Sequence, residues 1–252
     1  EGATPASSPR EVAEKSEVII TIVTDTPDVQ QVLLDKNGVV EGLQTDTVVI
    51  DMSTISPTAT REMADTIQQK GAHMLDAPVS GGEGGAIAGT LSIMVGGNEA
   101  IFNRCLPIFE AMGKNIVHLG ETGSGQLTKL CNQIAVAVTN LAMSEALIFG
   151  AKAGINLKKM QQAISGGAAG SWQLSNLAPR ILERDFAPGF MVELQQKDLR
   201  LVLQEADHLK LALPATSLVH HLFHALETRG AGGEGTQALV KVLEQLAGVT
   251  VK

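Results

Sequence analysis

Lys129 stands one turn into a strongly apolar stretch, and Asn132 and Gln133 follow it at i+3 and i+4. On a helix all three share a face. An ammonium beside two amides on an otherwise apolar helix is one of two things. It is a side chain running its stem over apolar surface to reach water, or a proton donor held for an oxygen that gains charge. Spacing alone leaves both open. Ser80-Gly81-Gly82 offers a complementary function. Consecutive glycines let backbone N–H groups approach an anion unobstructed, and the Ser80 hydroxyl adds a donor, so a small carboxylate suits this segment. The alternative is a flexible loop. Lys197-Asp198-Leu199 reads as the start of an amphipathic helix with Leu199, Val202, Leu203, Ala206 and Leu209 on its apolar stripe. A Lys at a helix N-terminus opposes the dipole. It either reaches an anion or is an indifferent exposed cation.

Two further patterns carry less. Gly230-Ala231-Gly232-Gly233-Glu234-Gly235 matches a dinucleotide fingerprint, but the preceding Leu218 to Thr228 is helical and no parallel strand follows, so the required context fails. His220 and His224 can share a helix face, with His221 beside them, but a metal needs a third ligand and none is evident. No metal is expected.

These residues need elements to position them. Val18–Val23 is a β-branched run with the character of a strand buried on both faces. It ends in Thr24-Asp25-Thr26-Pro27-Asp28, where Thr26 suits an N-cap, Pro27 the first helical position and Asp28 the positive helix end. The unit repeats: strand 47–51, then Ser53-Thr54, then a helix from Ser56-Pro57 to about Lys70, then a strand at His73–Asp76. Strand, capped helix, strand is the signature of a parallel sheet. Pro78–Gly85 reads as a loop. Strands at Leu91–Val95 and Asn115–Leu119 flank a helix that begins near Asn98. From Gly125 onward the pattern is helical. The organisation is therefore an α/β half over residues 1–121 and an all-α half over 122–252. Ligands of open parallel sheets bind beyond the strands' carboxyl ends. Thr24-Asp25-Thr26, Ser53-Thr54 and Ser80-Gly81-Gly82 all fall there and favour a ligand rim over ordinary turn chemistry.

Composition narrows the partners. Nineteen Lys and Arg against 27 Asp and Glu give a net charge of −8, which argues against nucleic acid. Only 3% of residues are aromatic, with no Tyr and one Trp, so base-stacking platforms and aromatic sugar clefts are poor fits. Cys105 and Cys131 make neither a disulfide framework nor a four-thiolate site, and a reduced cytoplasm is the default compartment. No membrane span is expected: the longest apolar candidate, Ile134–Phe149, is broken by Thr139, Asn140, Ser144 and Glu145. Gly125–Ala153 is too apolar for a lone surface helix, which points to a homo-oligomer, dimer or tetramer.

Taken together, several segments resemble the β-hydroxyacid dehydrogenase family, the relatives of 3-hydroxyisobutyrate dehydrogenase. They are Asp76-Ala77-Pro78-Val79-Ser80-Gly81-Gly82, Gly89-Thr90-Leu91, Met94-Val95-Gly96-Gly97, Gly123-Ser124-Gly125 with Lys129, and Lys197-Asp198-Leu199 after Pro188-Gly189-Phe190. The Lys129–Gln133, Met143–Leu147 and Ile164–Ser171 segments resemble a branch that reduces a three-carbon semialdehyde acid. The resemblance implies a Rossmann domain, then an all-α domain opened by a long helix. It implies reversible reduction of a small aldehyde acid with NAD or NADP. Lys129 would be the general acid. Ser80, Gly81 and Gly82 would hold the substrate carboxylate, and Asn132 or Gln133 the substrate or the Lys. Phe190 and Asp198 would contribute from the helical half. Val23, Thr24, Asp28, Thr54 and Lys197 would contact the cofactor. Many relatives carry Asn four residues after the Lys, where Gln133 stands here; the three-carbon branch shares this Asn-Gln order. The family's opening strand, Gly-x-Gly-x-x-Gly turn, helix and second strand, roughly 40–50 residues, are expected to be absent ahead of Glu1. That absence motivates a competing reading, a non-catalytic binding or assembly module.

Overall fold

The structure, a computed structural model, describes residues 2–252. The chain divides into two compact units, Glu1–Leu130 and Cys131–Lys252.

The first unit is a Rossmann-like α/β domain. Its elements are α1 (Pro9–Glu14), β1 (Val18–Thr21), α2 (Thr26–Leu34), β2 (Val48–Asp51), α3 (Pro57–Gln68), β3 (His73–Asp76), β4 (Val79–Ser80), α4 (Gly82–Ala88), β5 (Leu91–Val95), α5 (Glu99–Met112), β6 (Gly113–His118) and the first turns of α6 (Ser124–Lys152). β1, β2 and β3 form a parallel sheet in that order, with Thr21, Asp51 and Asp76 level at its carboxyl edge. β2 is central and wholly buried. One face packs Val49, Met74 and Ile19 against α2 and α3 through Val29, Leu33, Met63 and Ile67; the other packs Ile50 and Leu75 against Phe102 and Phe109 of α5. β5 runs parallel to β6 and antiparallel to β4, and the two sheets are bridged by paired backbone hydrogen bonds between Asp76 and Gly96.

Several expectations need correction. β1 is an edge strand of the described sheet, not buried on both faces: Ile20 is 42% exposed. Asp25, not Thr26, caps α2, because its carboxylate and that of Asp28 form a reciprocal capping box with the backbone. Pro78–Gly85 is not a loop. Val79 and Ser80 pair with Ile93 and Ser92, and the chain then turns into α4 through Gly81 at φ 136° and Gly82 at φ 61°, conformations that favour glycine. α1 was not anticipated, although Ser8-Pro9 followed by Glu11 is a start signal and the Ser8 side chain does accept from the Glu11 N–H.

The second unit is all-helical: the remainder of α6, then α7 (Leu157–Ser165), α8 (Trp172–Asn176), α9 (Ala178–Leu182), α10 (Val192–His208), α11 (Pro214–Glu227) and α12 (Leu239–Ala247). Lys197 lies in the second turn of α10, not at its start, so it carries no dipole misfit. By length and composition α6 is apolar enough to cross a membrane, despite the polar interruptions that were expected to exclude this. One side of it packs into the core of the second unit. Ala137 and Leu141 join Val192, Leu199, Val219 and Phe223, and Met143 and Leu147 join Leu174, Ile181 and Val240. Its buried Asn140 donates through Nδ2 to the Thr236 carbonyl at 2.7 Å, while its Oδ1 has no partner. Burying side chains such as Phe223 and Leu147 stabilises the fold by roughly 1.5–3 kcal/mol each.

Candidate active site

The site in the first unit is built on two carboxylates that end adjacent strands. Asp51 closes β2 and is fully buried. Its Oδ1 accepts from the Thr21 hydroxyl at 2.8 Å and the Ser53 hydroxyl at 2.7 Å, while its Oδ2 has no partner. Loss of water pushes its carboxyl up to about 6, against the hydrogen bonds from Ser53 and Thr21. Asp76 closes β3, also fully buried. It receives the Gly123 N–H at 2.8 Å on Oδ1 and the Gln126 N–H at 2.9 Å on Oδ2. Burial raises its pKa, and backbone donors, Gly123 first, oppose that. Asp76 therefore does for α6 what an N-cap does, from 50 residues away in sequence.

Three further residues fix the first turns of α6. Gly125 leaves no room for a side chain, since an added Cβ would lie 2.4 Å from the Met94 carbonyl and 2.5 Å from that of Asp76. The Gln126 side chain is fully buried; it donates to the Ser53 carbonyl at 2.8 Å and accepts from the Ile55 N–H at 3.1 Å. One turn later, Lys129 is 7% exposed and its Nζ donates to the Val79 carbonyl at 2.8 Å. Val79 immediately precedes Ser80-Gly81-Gly82, so the structure brings Lys129 to the anion-binding candidate. An ammonium has three N–H donors and is the type of group that can meet an oxygen that acquires negative charge.

The cofactor candidates Val23, Thr24, Asp28 and Thr54 sit just past β1 and β2. The Val23 N–H donates to the Ser53 hydroxyl at 2.9 Å, tying the two loops together. Asp28 accepts from the Asp25 N–H at 3.0 Å, as part of the cap of α2. Two level strand ends with joined loops are where a parallel sheet takes a dinucleotide, and the hydroxyl-bearing rim of Thr24, Ser53 and Thr54 fits such a group. Among the described residues these loops do not include a Gly-rich phosphate cradle. No Gly-x-Gly-x-x-Gly turn follows β1, β2 or β3, the N-terminus of α2 is closed by two carboxylates, and that of α3 by the Ser56 side chain.

In the second unit, Asn132 donates to the Gln133 side-chain carbonyl at 2.8 Å, Gln133 donates to Asp198 at 2.6 Å, and Lys197 pairs with Asp198 at 2.8 Å. Four of the sequence-predicted residues thus form one chain of polar contacts around a carboxylate that is 2% exposed. Phe190 is half-buried and stands outside this chain; its carbonyl accepts from the Thr236 N–H at 3.0 Å. His220 and His224 face each other at 4.6 Å, with Gln196 and Glu227 as their partners. Sequence reasoning assigned no role to Asp51, Asp76 or Gln126. The signal for the first two was an Asp ending each of two apolar strands.

Comparison with known proteins gives this geometry a family. Residues 1–120 match the NAD binding domain of 6-phosphogluconate dehydrogenase, and residues 123–243 match the NAD-binding domain of NADP-dependent 3-hydroxyisobutyrate dehydrogenase. The first match gives no support to the expected loss of an opening strand–turn–helix–strand unit, because it takes in residue 1 onward. The chain is 45% identical to 2-hydroxy-3-oxopropionate reductase of Escherichia coli K12 over 98% of its own length and 84% of the relative's. It is 46% identical to the mitochondrial 3-hydroxyisobutyrate dehydrogenase-like 1 of Arabidopsis thaliana, over 100% and 75%. The structure of Mycobacterium tuberculosis 3-hydroxyisobutyrate dehydrogenase with L-serine superposes with a TM-score of 0.87 at 31% identity, covering 94% of this chain and 83% of that one. The chain belongs to the NAD(P)-dependent β-hydroxyacid dehydrogenases, the family of 3-hydroxyisobutyrate dehydrogenase.

Proposed function

We propose that the protein reduces tartronate semialdehyde (2-hydroxy-3-oxopropanoate) to glycerate, reversibly, with Lys129 as the general acid. The observation that carries this reading is the Lys129 ammonium on the Val79 carbonyl, one residue from Ser80-Gly81-Gly82. Bound NADH or NADPH supplies the hydride to the aldehyde carbon. The Ser80 hydroxyl and the N–H groups of Gly81 and Gly82 hold the substrate carboxylate. Lys129 holds a proton at Nζ and gives it to the aldehyde oxygen as that oxygen becomes an alkoxide. In the reverse direction neutral Lys129 takes the hydroxyl proton. Within the helical unit, Asn132, Gln133, Phe190 and Asp198 are the candidate substrate residues. Within the α/β unit, Val23, Thr24, Asp28 and Thr54 serve the cofactor; Lys197 is the helical unit's candidate cofactor residue. The enzyme works in the cytoplasm, where Cys105 and Cys131 stay as free thiols.

The three-carbon substrate rests on the similarity to the Escherichia coli reductase. A second reading, 3-hydroxyisobutyrate or another short semialdehyde acid, is favoured by the names of the Arabidopsis and Mycobacterium relatives. Measuring kcat/KM over C3 and C4 semialdehyde acids with NADH and NADPH separates the two. Preference for tartronate semialdehyde is expected, and preference for methylmalonate semialdehyde overturns the assignment.

A further inference from the structure

Gln126 is a fully buried polar side chain with both ends spoken for, and neither partner lies on its own helix. Its Nε2 donates to the Ser53 carbonyl and its Oε1 accepts from the Ile55 N–H, so it grips the backbone on both sides of Thr54. Ser53 in turn accepts the Val23 N–H on its hydroxyl and donates that hydroxyl to Asp51. On the other side, Gln126 lies one helical turn before Lys129, on a turn whose N–H groups are held by Asp76. One amide thus joins the loops that carry Val23 and Thr54 to the turn that carries Lys129.

We infer that Gln126 is a positioning residue: its side-chain amide sets the Thr54 loop, and with it the cofactor, at a fixed offset from the Lys129 proton donor. This deepens the proposed function and rests on its reading of Lys129 and Thr54. Hydride and proton must arrive at two ends of one C=O bond. An error of about 1 Å in such an offset costs up to ~100-fold in rate. Only an amide fits both partners. A carboxylate at this position keeps the acceptor for Ile55 but offers nothing to the Ser53 carbonyl until it is protonated. Methionine fills the space and makes neither bond.

The test compares wild type, Gln126→Met and Gln126→Glu by three readouts: hydrogen exchange of the Ile55 amide, Kd for NADH and NADPH, and kcat at saturation across pH. In Gln126→Met we expect the Ile55 amide to lose protection, dinucleotide to bind more weakly, and kcat to fall about 10–100-fold. Gln126→Glu should recover kcat as pH falls and its carboxyl gains the missing proton, while Gln126→Met should show no such recovery. If Gln126→Met does not fold, the pH dependence of Gln126→Glu relative to wild type decides alone. An Ile55 amide still protected in Gln126→Met, a saturated kcat equal to wild type, or no acid recovery in Gln126→Glu overturns the inference. If wild type turns over no short semialdehyde acid, the substrate reading fails instead, and the exchange and dinucleotide readouts still decide the role of Gln126.

Discussion

At the scale of the residue, the chemistry divides into groups visible in sequence and groups that are not. Lys129 and Ser80-Gly81-Gly82 stood out by type and spacing, and the Lys129 bond to the Val79 carbonyl brings them together. Asp51, Asp76 and Gln126 did not, because what defines them is partners 30 to 73 residues away in sequence. Local pattern places Lys197 at a helix terminus, but it lies inside α10, paired with Asp198. Asp51 gives a direct prediction. Its folded pKa of about 6 lies above the ordinary 3.8, so the native state holds a proton that the unfolded state has already released between these values. The stability this contributes is complete below pH ~4 and is lost as pH rises through about 6. An Asn in its place keeps the Oδ1 acceptor without the titration. Chemical denaturation of Asp51→Asn beside wild type should show the variant gaining relative stability from pH 4 to 7, by up to about 3 kcal/mol. A constant difference across that range would remove Asp51 as the titrating group.

At the scale of the element, alternating apolar runs and capped starts made the βαβ order legible. The 3.6-residue pattern likewise exposed the long helix. What sequence could not supply was which strand is an edge, or that Val79-Ser80 would pair with Ser92-Ile93 and place α4 where a loop was expected. Those features follow from tertiary pairing and from the positive φ of Gly81 and Gly82. Gly125 at the start of α6 puts local and tertiary effects in opposition. Helix propensity favours Ala over Gly by up to ~1 kcal/mol. The added Cβ, however, would meet two backbone carbonyls within 2.5 Å, and backbone cannot swing aside as a side chain end can. Overpacking costs typically ~1–3 kcal/mol, so the clash wins. Thermal unfolding of Gly125→Ala should show a lower Tm and turnover should fall, because α6 must shift with Lys129 on it. A raised Tm with full turnover would mean that the helix start is not held as described.

At the scale of the whole molecule, the chain pairs a dinucleotide-binding α/β unit with a helical unit, and the change of pattern after Gly120 is plain in the sequence. The surface of the helical unit leaves large apolar side chains in water: Phe149 on α6 is 76% exposed and Leu246 on α12 is 74% exposed. Together with Ile148 and Leu243 they line an apolar depression. Association of copies through this surface is the prediction that such a patch makes. Sedimentation at micromolar concentration should give a species at least twice 26.4 kDa. A clean monomer would contradict it. The central claim is that Lys129 delivers the proton of a semialdehyde reduction, and the most direct measurement is kcat for tartronate semialdehyde by Lys129→Ala, at saturating dinucleotide and with circular dichroism to confirm the fold. The account predicts a loss of about 10²–10⁴-fold with dinucleotide affinity retained; a folded Lys129→Ala protein with near-normal kcat would contradict it.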